Sequence, residues 1–138
     1  MASINLKGRE IPLLYTTYEM KLLQEKIGPL DKAMKIILGR NPDDDEDVSR
    51  YGGAEHIGAA ATLVVILGNA GLEEAGEDPD LTEKKVMRAI RPADLVDVVN
   101  ACMNAMADGM NSEIPAKEEE GPVDVTLEEM KKKEMKEG

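Results

Sequence analysis

Residues 57–70, IGAAATLVVILGNA, form the most apolar stretch of the chain, and their reading decides the fold. From Ile57 to Leu67 only Gly58 and Thr62 are not plainly hydrophobic. Val64, Val65 and Ile66 would suit a buried strand, and in a run this short periodicity does not separate strand from helix. The length of the run and the Ala59-Ala60-Ala61 triplet favour a helix, with Gly68 or Gly71 as its stop. A helix that is apolar on every side has to be covered on every side, so this segment is expected to be the central core helix. Eleven residues make about 16 Å of helix, short of a bilayer core of about 30 Å, so no segment is expected to span a membrane.

Working toward the N-terminus, residues 3–14 alternate. Ile4 and Leu6 point one way, Lys7-Gly8 supplies a turn, and Ile11 and Leu13 return. This predicts a tight hairpin with Gly8 at positive φ. Pro12 has no N–H to donate, which marks the second strand as an edge. Thr16-Thr17-Tyr18-Glu19 reads as a capping box opening a helix whose buried stripe is Met20, Leu23 and Ile27, ending at Gly28. Pro29 opens a second helix to Leu38, with Gly39 as its stop and Leu30, Ala33, Met34 and Ile37 on one face.

Two acidic loops flank the central helix. Residues 43–47 are five consecutive acids, but a calcium loop starting at Asp43 would need Gly where Val48 stands and Glu where Ala54 stands. Residues 73–80 hold five more acids among Gly and Pro. Asp80 to Glu83 then resembles a capping box with Asp80 as the cap, opening a short helix with Val86, Met87 and Ile90. Pro92 begins the last strong helix, 92–109. Leu95, Val98, Val99, Cys102, Ala105 and Met106 form one stripe on it, and Val96, Met103, Ala107 and Met110 form a second. That arc is wider than a single core contact needs, so either the helix is wedged between two neighbours or part of the arc meets another chain. Val96, Met103, Met106 and Met110 are the candidate partner-binding residues, because methionine-rich apolar surfaces adapt to helical clients.

Beyond residue 110 the pattern is lost. The expectation is one globular domain over 1–110 and a charged, disordered tail over 111–138. Within the tail, Thr126 to Glu129 offers a frayed helix start, with Glu128–Lys132 and Glu129–Lys133 as i,i+4 pairs. The fold class is therefore mostly α: an N-terminal β-hairpin packed on a bundle of about five helices.

Composition narrows the function. The net charge of −11 divides as −7 for residues 1–110 and −4 for 111–138, which argues against nucleic acid as a partner. Tyr15, Tyr18 and Tyr51 are the only aromatics, so aliphatics and nine methionines must build the core. Cys102 is alone, no apolar signal segment opens the chain, and a soluble cytoplasmic protein is expected. His56 has no Ser or Cys near it in a catalytic motif, Cys102 lies on an apolar stripe, and RYGGAEH matches no common phosphate loop. No enzyme, no cofactor and no metal is expected.

The order of these elements resembles a known family. INLKGREIPLLY leads into TTYEMKLLQEKIG, an apolar central helix follows, and LTEKKVMRAIRPADL opens the last helix before a charged tail. Over residues 4–110 this is similar to the tail assembly chaperones encoded upstream of the tape measure gene in long-tailed phages and prophages. The resemblance implies binding to the helical tape measure protein and to tail tube subunits, in the host cytoplasm and outside the mature virion. It also implies a longer frameshifted form, for which Lys131-Lys132-Lys133 is a candidate slippery site. A homo-oligomer is a further option. The rival readings are an acidic inhibitor that mimics nucleic acid and a structural virion subunit. Salt distinguishes the mimic, whose binding should weaken steeply with ionic strength.

Overall fold

The computed structural model describes residues 2–40 and 50–111. Residues 43–47, Lys131-Lys132-Lys133 and every residue beyond Asn111 lie outside the described residues.

β1 (Ser3–Leu6) and β2 (Arg9–Pro12) pair antiparallel, with Ile4 opposite Ile11 and Leu6 opposite Arg9. Both turn residues take positive φ, Lys7 at 53° and Gly8 at 84°, the mirror-image turn that matches strand twist. The side chain of Asn5 accepts the Gly8 N–H at 2.8 Å, which helps hold Lys7 in a conformation costly for a side-chain-bearing residue. One face of the ribbon, with Ile4, Leu6 and Ile11, is buried.

α1 (Thr17–Lys26) opens with the expected capping box: the Thr16 N–H donates to Glu19 Oε1 at 2.9 Å, and the Thr16 hydroxyl donates to the same oxygen. α2 (Leu30–Ile37) buries Ala33 and Ile37 and ends on Gly39, φ 78°. The Gly39 and Arg40 amides close back on the Ile36 and Lys35 carbonyls, so the last turn leaves few orphan acceptors.

The central helix, α3, runs from Ala54 to Glu74, 21 residues, well beyond the expected stretch. Gly68 and Gly71 do not stop it. They lie inside it because other parts of the chain pass too close for a side chain. A Cβ on Gly71 would stand 1.9 Å from the Pro12 carbonyl oxygen, and one on Gly68 would stand 2.6 Å from a Leu81 methyl. Beside them the Leu14 N–H donates to the Leu67 carbonyl at 3.1 Å, tying the end of the hairpin to the helix. Gly76, φ 79°, is the true stop: its amide reaches the Glu73 carbonyl and the Glu77 amide reaches Leu72. Glu73 and Glu74 therefore belong to the helix, not to the acidic loop.

By length and composition α3 could cross a bilayer, which corrects the expectation that no segment qualifies, yet its most apolar window is 67% buried inside the fold. It packs against β2, α1, α2, α4 and α5. Leu63, Leu67 and Leu72 have no exposure at all, and such burial contributes about 1.5–3 kcal/mol for each side chain.

α4 (Glu83–Ala89) is capped by Thr82, whose hydroxyl accepts the Lys85 N–H at 3.2 Å. Asp80, expected as the cap, is drawn away to Arg9 at 3.0 Å. Asn69 holds the loop in place, exchanging two hydrogen bonds with the Leu81 backbone at 3.0 and 3.2 Å. A single 3₁₀ turn, Pro92–Asp94, leads into α5 (Leu95–Gly109), which buries Val98, Val99, Cys102, Ala105 and Met106 against α3 and β1. Its C-terminal Gly109 meets the Tyr15 carbonyl, where a Cβ would stand at 2.2 Å.

Candidate protein-binding surfaces

The four residues expected to bind a partner do not share one surface. Val96, Met103 and Met110 recur every seven residues, a step that drifts only about 20° around a straight helix, so they line one side of α5. Val96 is 47% exposed and Met110 66%, with Met103 half-buried between them. Met106 is a core residue at 8% exposure, packed with the first stripe. The surface is thus a narrow stripe of three residues.

A second apolar surface lies where α3, α4 and the start of α5 meet. It is a groove of about 420 Å³ with Ile57, Ala60, Ala61 and Val64 from α3 and Val86, Met87 and Ile90 from α4. Arg91, Pro92 and Leu95, with Tyr51 and Gly52 from the turn before α3, complete its lining. The space exists because α3 offers alanines at 60 and 61 where larger residues would fill it. Met87 is 43% exposed and Tyr51 46%.

Tyr51 is positioned by His56. The two rings lie 4.3 Å apart at 39°, and His56 Nδ1 accepts the Gly52 N–H at 3.0 Å. From below, Gly39 lets Tyr51 sit close, since a Cβ there would be 3.0 Å from the Tyr51 Cα, and the Arg50 N–H donates to the Gly39 carbonyl. His56 is 1% exposed, and its Nε2 has no hydrogen-bond partner among the described residues. Burial lowers its pKa from the usual value, partly opposed by the Ile37 backbone. A ring that accepts on Nδ1 and is buried this far is neutral, with its proton on Nε2.

Other titrating groups are structural. Burial pushes the Cys102 thiol up to about 12, which leaves it protonated and unreactive in the core. Burial also raises Tyr15. The hydrogen bond from Arg9 holds the Asp80 carboxyl below its usual range, partly opposed by desolvation. Among the described residues no group of three or more His, Cys, Asp or Glu is placed to hold a metal ion.

The groove is not legible in the sequence. Met87 and Ile90 read there as the buried stripe of a short helix, and Tyr51 carries no pattern. Only the position of the Gly52-Gly53 turn over α3 turns these residues into walls. No family model matches the chain, and neither a curated protein nor a solved structure matches it.

Proposed function

We propose that this protein is an assembly chaperone of the kind made by long-tailed phages and prophages, binding the helical tape measure protein and helping tail tube subunits assemble around it. The observation that carries the reading is the apolar groove beside Tyr51 and Met87, open at the surface and with one adaptable side chain, Met87, on its wall. A client of long amphipathic helices presents apolar stripes that self-associate, and a groove of this size takes one or two of its side chains at a time. Modest contact area suits a partner that must later let go. The chaperone then acts in the host cytoplasm and is absent from finished particles.

Coexpression with a tape measure protein of a long-tailed phage tests the function. The client should stay soluble with the parent chain and aggregate without it. Tyr51→Ser combined with Met87→Glu should keep the fold and lose the client. A client that aggregates beside the parent chain overturns the function, and a double variant that still holds it overturns the groove as the site.

A further inference from the structure

The groove beside Tyr51 and Met87 is lined by half-buried Ile57, Ile90 and Leu95 around buried Ala60, Ala61 and Val64. Its single lining charge is Arg91, and Lys84 lies one turn before Met87 on the same side of α4. Both cations are exposed, and neither forms an ion pair among the described residues. This chemistry favours an apolar occupant with acidic neighbours, and the chain carries one of its own. Residues 112–138 lie outside the described residues, and apolar side chains cluster within them at 123–130, VDVTLEEM. That segment holds Val123, Val125, Leu127 and Met130 with three acids and no base. Its reach suffices. Leu95 on the groove and Asn111 are separated by α5, about 22 Å long, while the fifteen residues 112–126 can span up to about 50 Å.

We infer that residues 123–130 cover this groove of their own chain when no client is present, with Leu127 and Met130 entering it and Asp124, Glu128 and Glu129 lying toward Lys84 and Arg91. Leu127 and Met130 are three positions apart, the spacing of neighbours on one helical turn, and a groove of about 420 Å³ holds two side chains of that size. Covering it removes an apolar surface from water. The tether makes a weak contact sufficient, because a flexible linker holds the segment at an effective concentration of about a millimolar. Such a contact adds little to global stability, and a client displaces it by competing for the same side chains. The inference rests on the groove proposed above as the binding surface, and not on the client proposed to use it.

The test uses the full chain. A nitroxide is attached through Lys133→Cys, since the buried Cys102 thiol does not react. The methyl signals of Ile57, Met87 and Ile90 should broaden in the isotopically labelled protein. The same spin-labelled chain carrying Leu127→Ser with Met130→Ser should lose that broadening and melt like the parent. Lys84→Glu with Arg91→Glu should weaken it, and adding Glu128→Lys with Glu129→Lys should bring it back. Four results overturn the inference: no broadening at the groove, broadening that survives Leu127→Ser with Met130→Ser, broadening unchanged by Lys84→Glu with Arg91→Glu, or equal broadening when spin-labelled chains are mixed with isotopically labelled chains that carry no nitroxide. The last would assign the groove to a second copy. Because the sample holds no client, failure of the client reading leaves these results unchanged.

Discussion

His56 links the turn that carries Tyr51 to the protonation of one buried ring. Its Nδ1 accepts from Gly52, so adding a proton there removes the acceptor and puts a charge in a buried, poorly solvated position. The folded pKa lies below the usual 6.5, so the unfolded chain takes up the proton first as pH falls. The stabilisation is therefore present above about 6.5 and lost as pH drops toward the folded value. The melting midpoint of the parent should fall from pH 7.5 to 5.5 more steeply than that of His56→Gln. Parallel slopes would show that the ring does not titrate in this window. At the same scale, two glycines of α3 should respond with opposite signs. A Cβ at Gly58 would meet nothing within 4 Å, so Gly58→Ala should gain up to about 1 kcal/mol from helix propensity. Gly71→Ala should lose about 1–3 kcal/mol or more, because the Pro12 backbone cannot retreat without pulling the hairpin off the helix. Chemical denaturation of the two variants gives both numbers.

At the scale of elements, α5 separates docking from display. Val98, Val99, Cys102, Ala105 and Met106 already seat it on α3 and β1, and Val96 and Met110 add little to that contact. Val96→Glu with Met110→Glu should leave the melting midpoint within a few degrees, since exposed substitutions cost about 0.5 kcal/mol or less. If this stripe pairs two copies, the native mass should halve. If it serves the client, co-purification should drop while the mass stays. A large fall in the midpoint would make the stripe ordinary core. For α3 the test residue is Val64 rather than Val65, which is only half-buried. Val64→Asp places an uncompensated carboxylate at 1% exposure and should cost several kcal/mol, enough to threaten the whole fold.

For the whole molecule, the core cluster begins at Ile4 and ends at Met106, so both ends of the domain are fastened by the residues described. Truncation after Asn111 should then leave the melting midpoint within a few degrees, as differential scanning calorimetry would record. A marked loss would mean that residues beyond 111 contribute to the core. Among the described residues the apolar groove is lined by one charged side chain, Arg91, and by no acid. Client binding through the groove should change little with ionic strength, whereas a nucleic-acid mimic would release its partner as salt rises.

The sequence by itself determined what depends on local chemistry. The hairpin turn at Lys7-Gly8, the capping box at Thr16 and Glu19, the stop at Gly39 and the all-apolar central helix each follow from residues within a few positions of one another. Where the structure departs from the sequence pattern, a distant partner decides the matter. Asp80 reads as a cap because nothing nearby in the chain reveals Arg9. Gly68 and Gly71 read as stops because a buried glycine and a terminal one look alike until Pro12 and Leu81 are seen against them. Met106 reads as a partner-binding candidate beside Met103 and Met110 because the sequence of one helix does not tell how far its neighbours reach around it. The groove belongs wholly to the tertiary structure, since it is a space between elements, and a space has no residues of its own.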